Sequence, residues 1–281
     1  ATVLTSTSSG AITFGNTLNG AQTLAVNTSG ATTFTGAVGT TTALTSLSTD
    51  VGGTVAINGG TVNTTGLQSY GEAATLGAAT VLTSTSSGAI TFGNTLNGAQ
   101  TLAVNTSGAT TFTGAVGGTT ALTSLSTDVG GTVAINGGVV NTTGAQSFSD
   151  AATLGADTTL TSTGNGAITF GSTLNGAQAL VVNTSGITTF GGAVGGTTAL
   201  TSVTTDAGGS VVFSGGGVKT TGAQTYNDAV NLGAATMLQG VNVALMSTVD
   251  GAQALTLSDS GTTVLGGIIG GTTPLLSLTT D

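Results

Sequence analysis

Residues 1–20 read ATVLTSTSSGAITFGNTLNG, residues 21–40 read AQTLAVNTSGATTFTGAVGT and residues 41–60 read TTALTSLSTDVGGTVAINGG. Laid beneath one another, these lines put Leu4, Leu24 and Leu44 in one column and Phe14 and Phe34 in another. Residues 61–78, TVNTTGLQSYGEAATLGA, complete a unit of 78. Within the lines apolar residues recur at every second position: Ile12 and Phe14, Leu24 and Val26, Val55 and Ile57. That spacing belongs to a strand, not to a helix. The runs end at Asn-Gly, Ser-Gly, Gly-Gly or Thr-Asp, all turn formers. An apolar column every 20 residues is what stacked rungs produce, so the pattern predicts a parallel β-solenoid.

The unit Ala1–Ala78 recurs as Ala79–Ala156, as Asp157–Ala234 and as the partial unit Ala235–Asp281. The first two differ at 6 positions, among them Thr40/Gly118, Tyr70/Phe148 and Glu72/Asp150. The columns continue through Leu82, Leu102, Leu122, Phe92, Phe112, Phe170 and Phe190, and Leu245 and Leu265 take the Phe places in the partial unit. Three residues are missing there beside Gly240, which marks a loop. The expectation is one all-β, elongated, right-handed parallel solenoid over residues 1–281. It has about 14 rungs of ~20 residues, four per repeat, and is ~65–70 Å long at the usual strand spacing. An antiparallel sandwich would let its loop lengths drift, and Gly costs up to ~1 kcal/mol per helical position.

Composition narrows function. Thr fills 64 positions and Gly 49 of the 281, while only 4% of residues are charged. There is no His and no Cys, hence no Ser-His-Asp or Cys-His system and no imidazole or thiolate metal site. Lys219 is the only basic side chain in a chain of net charge −9, which excludes phosphate-rich partners. A hydrophobic fraction of 38% argues for folding over disorder. No apolar run approaches the ~20 residues of a membrane span.

Asp50 precedes Glu72 by 22 residues, as Asp128 precedes Asp150 and Asp206 precedes Asp228. One rung plus two residues brings each pair to one edge. Such oxygens suit a weak Ca²⁺ site, although Ca²⁺ takes 6–8 ligands. The competing reading is that each Asp caps a turn, as in Thr49-Asp50-Val51-Gly52-Gly53. Paired carboxylates also raise polysaccharide cleavage, which needs carboxyls about 5 or 6.5–9.5 Å apart. Against this stand the shortage of aromatic platforms and three near-equal copies of the pair. An ice-binding face would present Thr-x-Thr, but Val3/Thr5, Thr23/Ala25, Ala43/Thr45 and Asn63/Thr65 break the array. The triplets Asn27-Thr28-Ser29 and Asn63-Thr64-Thr65 match the glycosylation pattern by composition alone, and Lys219 is placed to pair locally with Asp206 or Asp228. No residue is assigned as catalytic, cofactor-binding or metal-binding, and no cofactor is expected.

The segment GAITFGNTLNGAQTLAVNTSGATTFTGAVGG, residues 88–118, resembles the Gly/Thr/Ala-rich strand repeats of giant bacterial surface adhesins. These are the filamentous-haemagglutinin-like and autotransporter-like exoproteins. The resemblance is one of composition and period over the whole chain. It implies secretion to the cell surface, a fibrous stalk without catalysis, and a host or matrix surface as target.

Ala1 opens on a full-strength repeat, and Asp281 stands at the place of Asp50, mid-unit. The partial unit drifts, with Met237, Met246, Ile268, Ile269 and Pro274, yet keeps Leu255 and Leu275 in the Leu column. Solenoid ends need caps or continued pairing. The expectation is that rungs continue past both ends, within a longer chain or by self-association into a filament.

Overall fold

Thr and Val alternating with Leu and Phe fit a pleated surface with one buried side. Thr23–Thr28 shows the result: Leu24, Val26 and Thr28 are buried, while Thr23, Ala25 and Asn27 are half-buried. The computed structural model describes residues 1–281 and contains 35 strands and no helix. All the strand pairs described here are parallel. Rungs lie about 21 residues apart, with about 13 turns in all. The expected parallel β-solenoid is the fold. The chain divides into two units, Ala1–Thr142 and Thr143–Asp281.

In the first unit one face stacks Thr2–Ser6, Thr23–Thr28, Ser46–Thr49, Gln68–Tyr70, Ile90–Phe92, Ala109–Phe112 and Thr132–Ile135. A second stacks Ile12–Phe14, Ala31–Phe34, Thr54–Ile57, Ala73–Leu76 and Leu96–Asn97. The third stacks Thr61–Thr64, Thr80–Ser84, Thr101–Thr106 and Ser124–Thr127, extended by single bridges at Leu18 and Val38.

The chain visits these faces in a fixed order. A repeat supplies eleven strand or bridge segments before it begins again at Thr80, Val38 and Leu44 forming one because both pair with Thr61–Thr64. Eleven is not a multiple of three, so a repeat fills three and two-thirds turns, slightly under the expected four. The identical strands Thr2–Ser6 and Thr80–Ser84 therefore lie on different faces.

The Phe columns hold. Phe14 pairs with Phe34 and Phe92 with Phe112, their rings stacked at 5.0 and 5.7 Å. The Leu column does not. Leu4 lies opposite Val26, Leu24 opposite Thr2 and Leu47, and Leu44 opposite Thr64. The cause is unequal corners: Leu18 bridges to Val38, 20 residues on, while Val38 bridges to Val62, 24 residues on. Several corners admit only glycine, since a Cβ on Gly59 would overlap the Gly36 backbone one turn before it.

The second unit repeats this construction. Phe148, Phe170, Phe190 and Phe213 stack at 5.3–5.9 Å, and Tyr226 meets Phe213 edge-on. Each such pair contributes about 0.5–1.5 kcal/mol beyond its buried area. The gap beside Gly240 is a shortened loop as expected. Only Val241 and Asn242 separate Thr236–Gly240 from Val243–Leu245, and Asn242 turns with φ 62°.

Candidate functional site

The carboxylate pairs are the one recurrent group of ionisable side chains, and pairing geometry places them. Thr49 lies opposite Tyr70, so the residues after them, Asp50 and then Gly71 and Glu72, leave adjacent rungs at the same corner. Glu72 is 1% exposed, and neither of its oxygens, nor Asp50 Oδ1, receives an N–H or O–H donor from elsewhere. The two carboxyls instead face each other. Two acceptors bond only if one holds a proton, and Glu72 is the one that keeps it. Burial, then the hydrogen bond with Asp50 and the Asp50 charge, push the Glu72 carboxyl up to about 7.

The second unit solves the same corner differently. Asp206 Oδ1 accepts the Thr184 N–H at 2.9 Å, and Asp228 Oδ1 accepts the Gly209 N–H at 2.8 Å. Asp228 is 2% exposed. Burial and then the Asp206 charge raise its carboxyl, while the Gly209 N–H and the Thr205 hydroxyl pull it back. Asp128, in the first unit, holds the Thr106 N–H at 3.0 Å, and Asp150, in the second, is buried. Asp281 holds the Asp259 N–H at 2.9 Å in the same manner. Asp128, Asp206 and Asp281 thus bind backbone of the rung 22 residues before them rather than capping the turns they begin, and Asp50 Oδ1 takes no such bond, so the turn-capping reading does not hold as stated.

Cation chemistry is poorly served here. Asp50 and Glu72 together carry only four carboxyl oxygens where Ca²⁺ takes 6–8, and no group of three or more acidic side chains stands together. Sugar chemistry fares no better. Glu72 is buried and close enough to the half-buried Asp50 for the two carboxyls to bond, whereas glycosidase carboxyls stand at least ~5 Å apart around a substrate. Tyr70, Tyr226 and seven of the eight Phe are buried at 1% exposure or less, so they offer no stacking platform. On the outer surface Val3 aligns with Ala25, Ser48, Ser69, Thr91 and Thr111, so this column holds Thr on only two of six rungs. Asn63 and Thr65, expected beside that face, belong to the third one.

Lys219 departs from expectation. Its ammonium makes no ion pair and no hydrogen bond, while Asp206 and Asp228 each accept a backbone N–H. It stands on the wall of a groove with Gln239 and Met237.

Three devices were missed in the sequence. Asn19, Asn97, Asn175 and Asp250 each accept two N–H groups from a Thr-Thr pair 22 and 23 residues later, at 2.8–3.2 Å. The signal was present as an Asn or Asp before Gly, followed one turn on by Thr-Thr. Gln68 sits fully buried, giving its amide to Val62 O, Thr64 Oγ1 and Thr83 O and accepting the Tyr70 hydroxyl at 3.0 Å. Gln224 and Tyr226 reproduce this in the second unit. Asp259 braces the shortened loop through Asn242 N, Val243 N, Gly261 N and the Thr263 hydroxyl. Its slight burial would raise the carboxyl, but these donors lower it. No family model, curated protein or solved structure matches the chain.

Proposed function

We propose that this chain is a structural, non-catalytic repeat segment of an extracellular bacterial fibre or adhesin stalk. The observation that carries this reading is where the polar groups go. Buried Gln68 and Gln224, the Asn19-type corners and the Asp caps all bind the coil's own backbone. A chain whose polar side chains are spent on its own rungs, in repeats that build a continuous apolar interior, is suited to carry load or span distance. Further rungs, from the same chain or from a second copy, extend such a coil without new chemistry, and self-association end to end is part of the proposal.

Gold-labelled antibody against residues 1–281 tests it on intact cells and on thin sections of the source. Label along surface fibres is expected, and label confined to the cytosol overturns the reading. A polysaccharide panel is the second arm: reducing ends released by the wild-type chain and lost on Asp50→Asn would replace the stalk with an enzyme.

A further inference from the structure

We propose that the groove beside Lys219 is a binding site for a small amphiphilic carboxylate. The groove is open and offers about 340 Å³ beside Ala193, Gly216, Gly217 and Met237, over the buried Val194 and Val218, with Lys219 and Gln239 on its wall. That volume is at the small end of ligand pockets, which combine mostly apolar walls with a few polar groups.

Local divergence of the repeats makes the groove. Gly217 replaces Thr61 and Val139 of the first two repeats, removing the side chain that would stand there. Lys219 replaces Asn63 and Asn141, whose amides reach the Gly39 and Gly117 carbonyls at 3.5 and 3.4 Å. Met237 and Gln239 replace Val81 and Thr83. Four changes fall at one place on adjacent, paired strands, Gly217–Lys219 and Thr236–Gly240.

Each change favours the same ligand. Lys219 is the only basic side chain of the protein, and no carboxylate or carbonyl of the chain satisfies it. The overall charge of −9 repels a polyanion, so the anion it attracts must be small and singly charged. Met237 is 46% exposed, a flexible thioether against which an aliphatic tail packs. Gln239 adds an amide donor for the second carboxylate oxygen. A sugar acid lacks the apolar part, and the groove has no aromatic wall to stack it.

The two methionines make the test direct. With methyl-labelled methionine, octanoate titrated into the 281-residue chain is expected to move the Met237 signal at millimolar concentration and leave Met246 unmoved. Octylammonium, of equal length and opposite charge, should bind at least about fivefold more weakly, and glucuronate should not move Met237. Lys219→Asn installs the residue of the two counterpart positions and should weaken octanoate about fivefold, the scale of one exposed ion pair. An unchanged Met246 signal reports that this variant is folded. The proposal is overturned by equal shifts at both methionines, by octylammonium matching octanoate, by binding indifferent to Lys219→Asn, or by no shift up to the solubility of octanoate. None of these outcomes bears on the stalk reading, which needs no ligand.

Discussion

The Asp50–Glu72 corner of the first unit and the Asp206–Asp228 corner of the second share one spacing and differ by one methylene. In the second unit each carboxylate finds a backbone N–H: Thr184 for Asp206 and Gly209 for Asp228. In the first, the longer Glu72 takes no backbone donor, and Asp50 Oδ1 takes none either. Two caps become a pair that shares a proton. Pairing register decides which residues meet at a corner, and side-chain length decides whether they bind the coil or each other.

Where the units agree they should fail alike, and that sets the scale. Gln68→Leu and Gln224→Leu each strand a tyrosine hydroxyl and two backbone carbonyls in the interior. Each should cost about 3 kcal/mol or more, at 1–3 kcal/mol per buried group left unpaired. Amide exchange in the rungs around the substitution reads the loss. Unequal losses would show that the two interiors are not equivalent.

The next effect in size separates the units. Glu72 carries a folded-state midpoint of about 7, above its unfolded value near 4.5. The folded state therefore binds more protons between those values, and stability falls as pH rises through that window. Solvent screening near the corner keeps the loss to about 1–2 kcal/mol, less than the shift alone implies. Exchange protection around Tyr70–Leu76 should drop from pH 4.5 to 7.5 and then level. A flat profile would show that Glu72 is ionised throughout.

Exchanging the two acids is the reciprocal test. Glu72→Asp shortens the side chain to the length that reaches a backbone N–H at Asp228. It should stabilise the first unit by about 1 kcal/mol at pH 7.5, the worth of one such bond. Asp228→Glu should destabilise the second unit by a similar amount and give it the pH dependence of the first. Denaturant midpoints followed by exchange in each unit check both.

These contrasts also mark what the sequence could yield. The Phe14/Phe34 spacing, the apolar alternation and the turn dipeptides specified parallel rungs, since Phe14 does stack on Phe34, and the column then continues onto Ile57, another large apolar side chain. The Leu4/Leu24/Leu44 alignment misled, because a small inward site accepts Val26 or Thr64 as readily as Leu. Loop lengths then set the register, and those vary by several residues. The 22-residue acid spacing placed Asp50 beside Glu72, but whether they cap turns or share a proton depends on donor geometry that spacing does not encode. The buried Gln68–Tyr70 bond was hidden because Gln reads as surface residue by type. Lys219 read as a partner for nearby acids, but closeness in sequence to Asp206 and Asp228 does not bring their carboxylates to it.

The smallest effect bears on cause. Glu72 is raised first by burial, and only then by its bond to Asp50 and the charge of Asp50. Asp50→Asn removes that charge and supplies an amide N–H that can donate to an ionised Glu72. The Glu72 midpoint should therefore fall below about 7, yet stay above the usual glutamate value because burial is untouched. Glu72 is the only glutamate of the chain, so carboxyl labelling gives a single titrating carbon resonance. At the other corner Asp206→Asn should lower the Asp228 midpoint by less, since the Gly209 N–H already favours its charged form. A Glu72 midpoint that does not move in Asp50→Asn would mean the carboxyls do not share a proton. A fall all the way to an exposed glutamate's value would mean that charge, not burial, sets the first corner apart from the second.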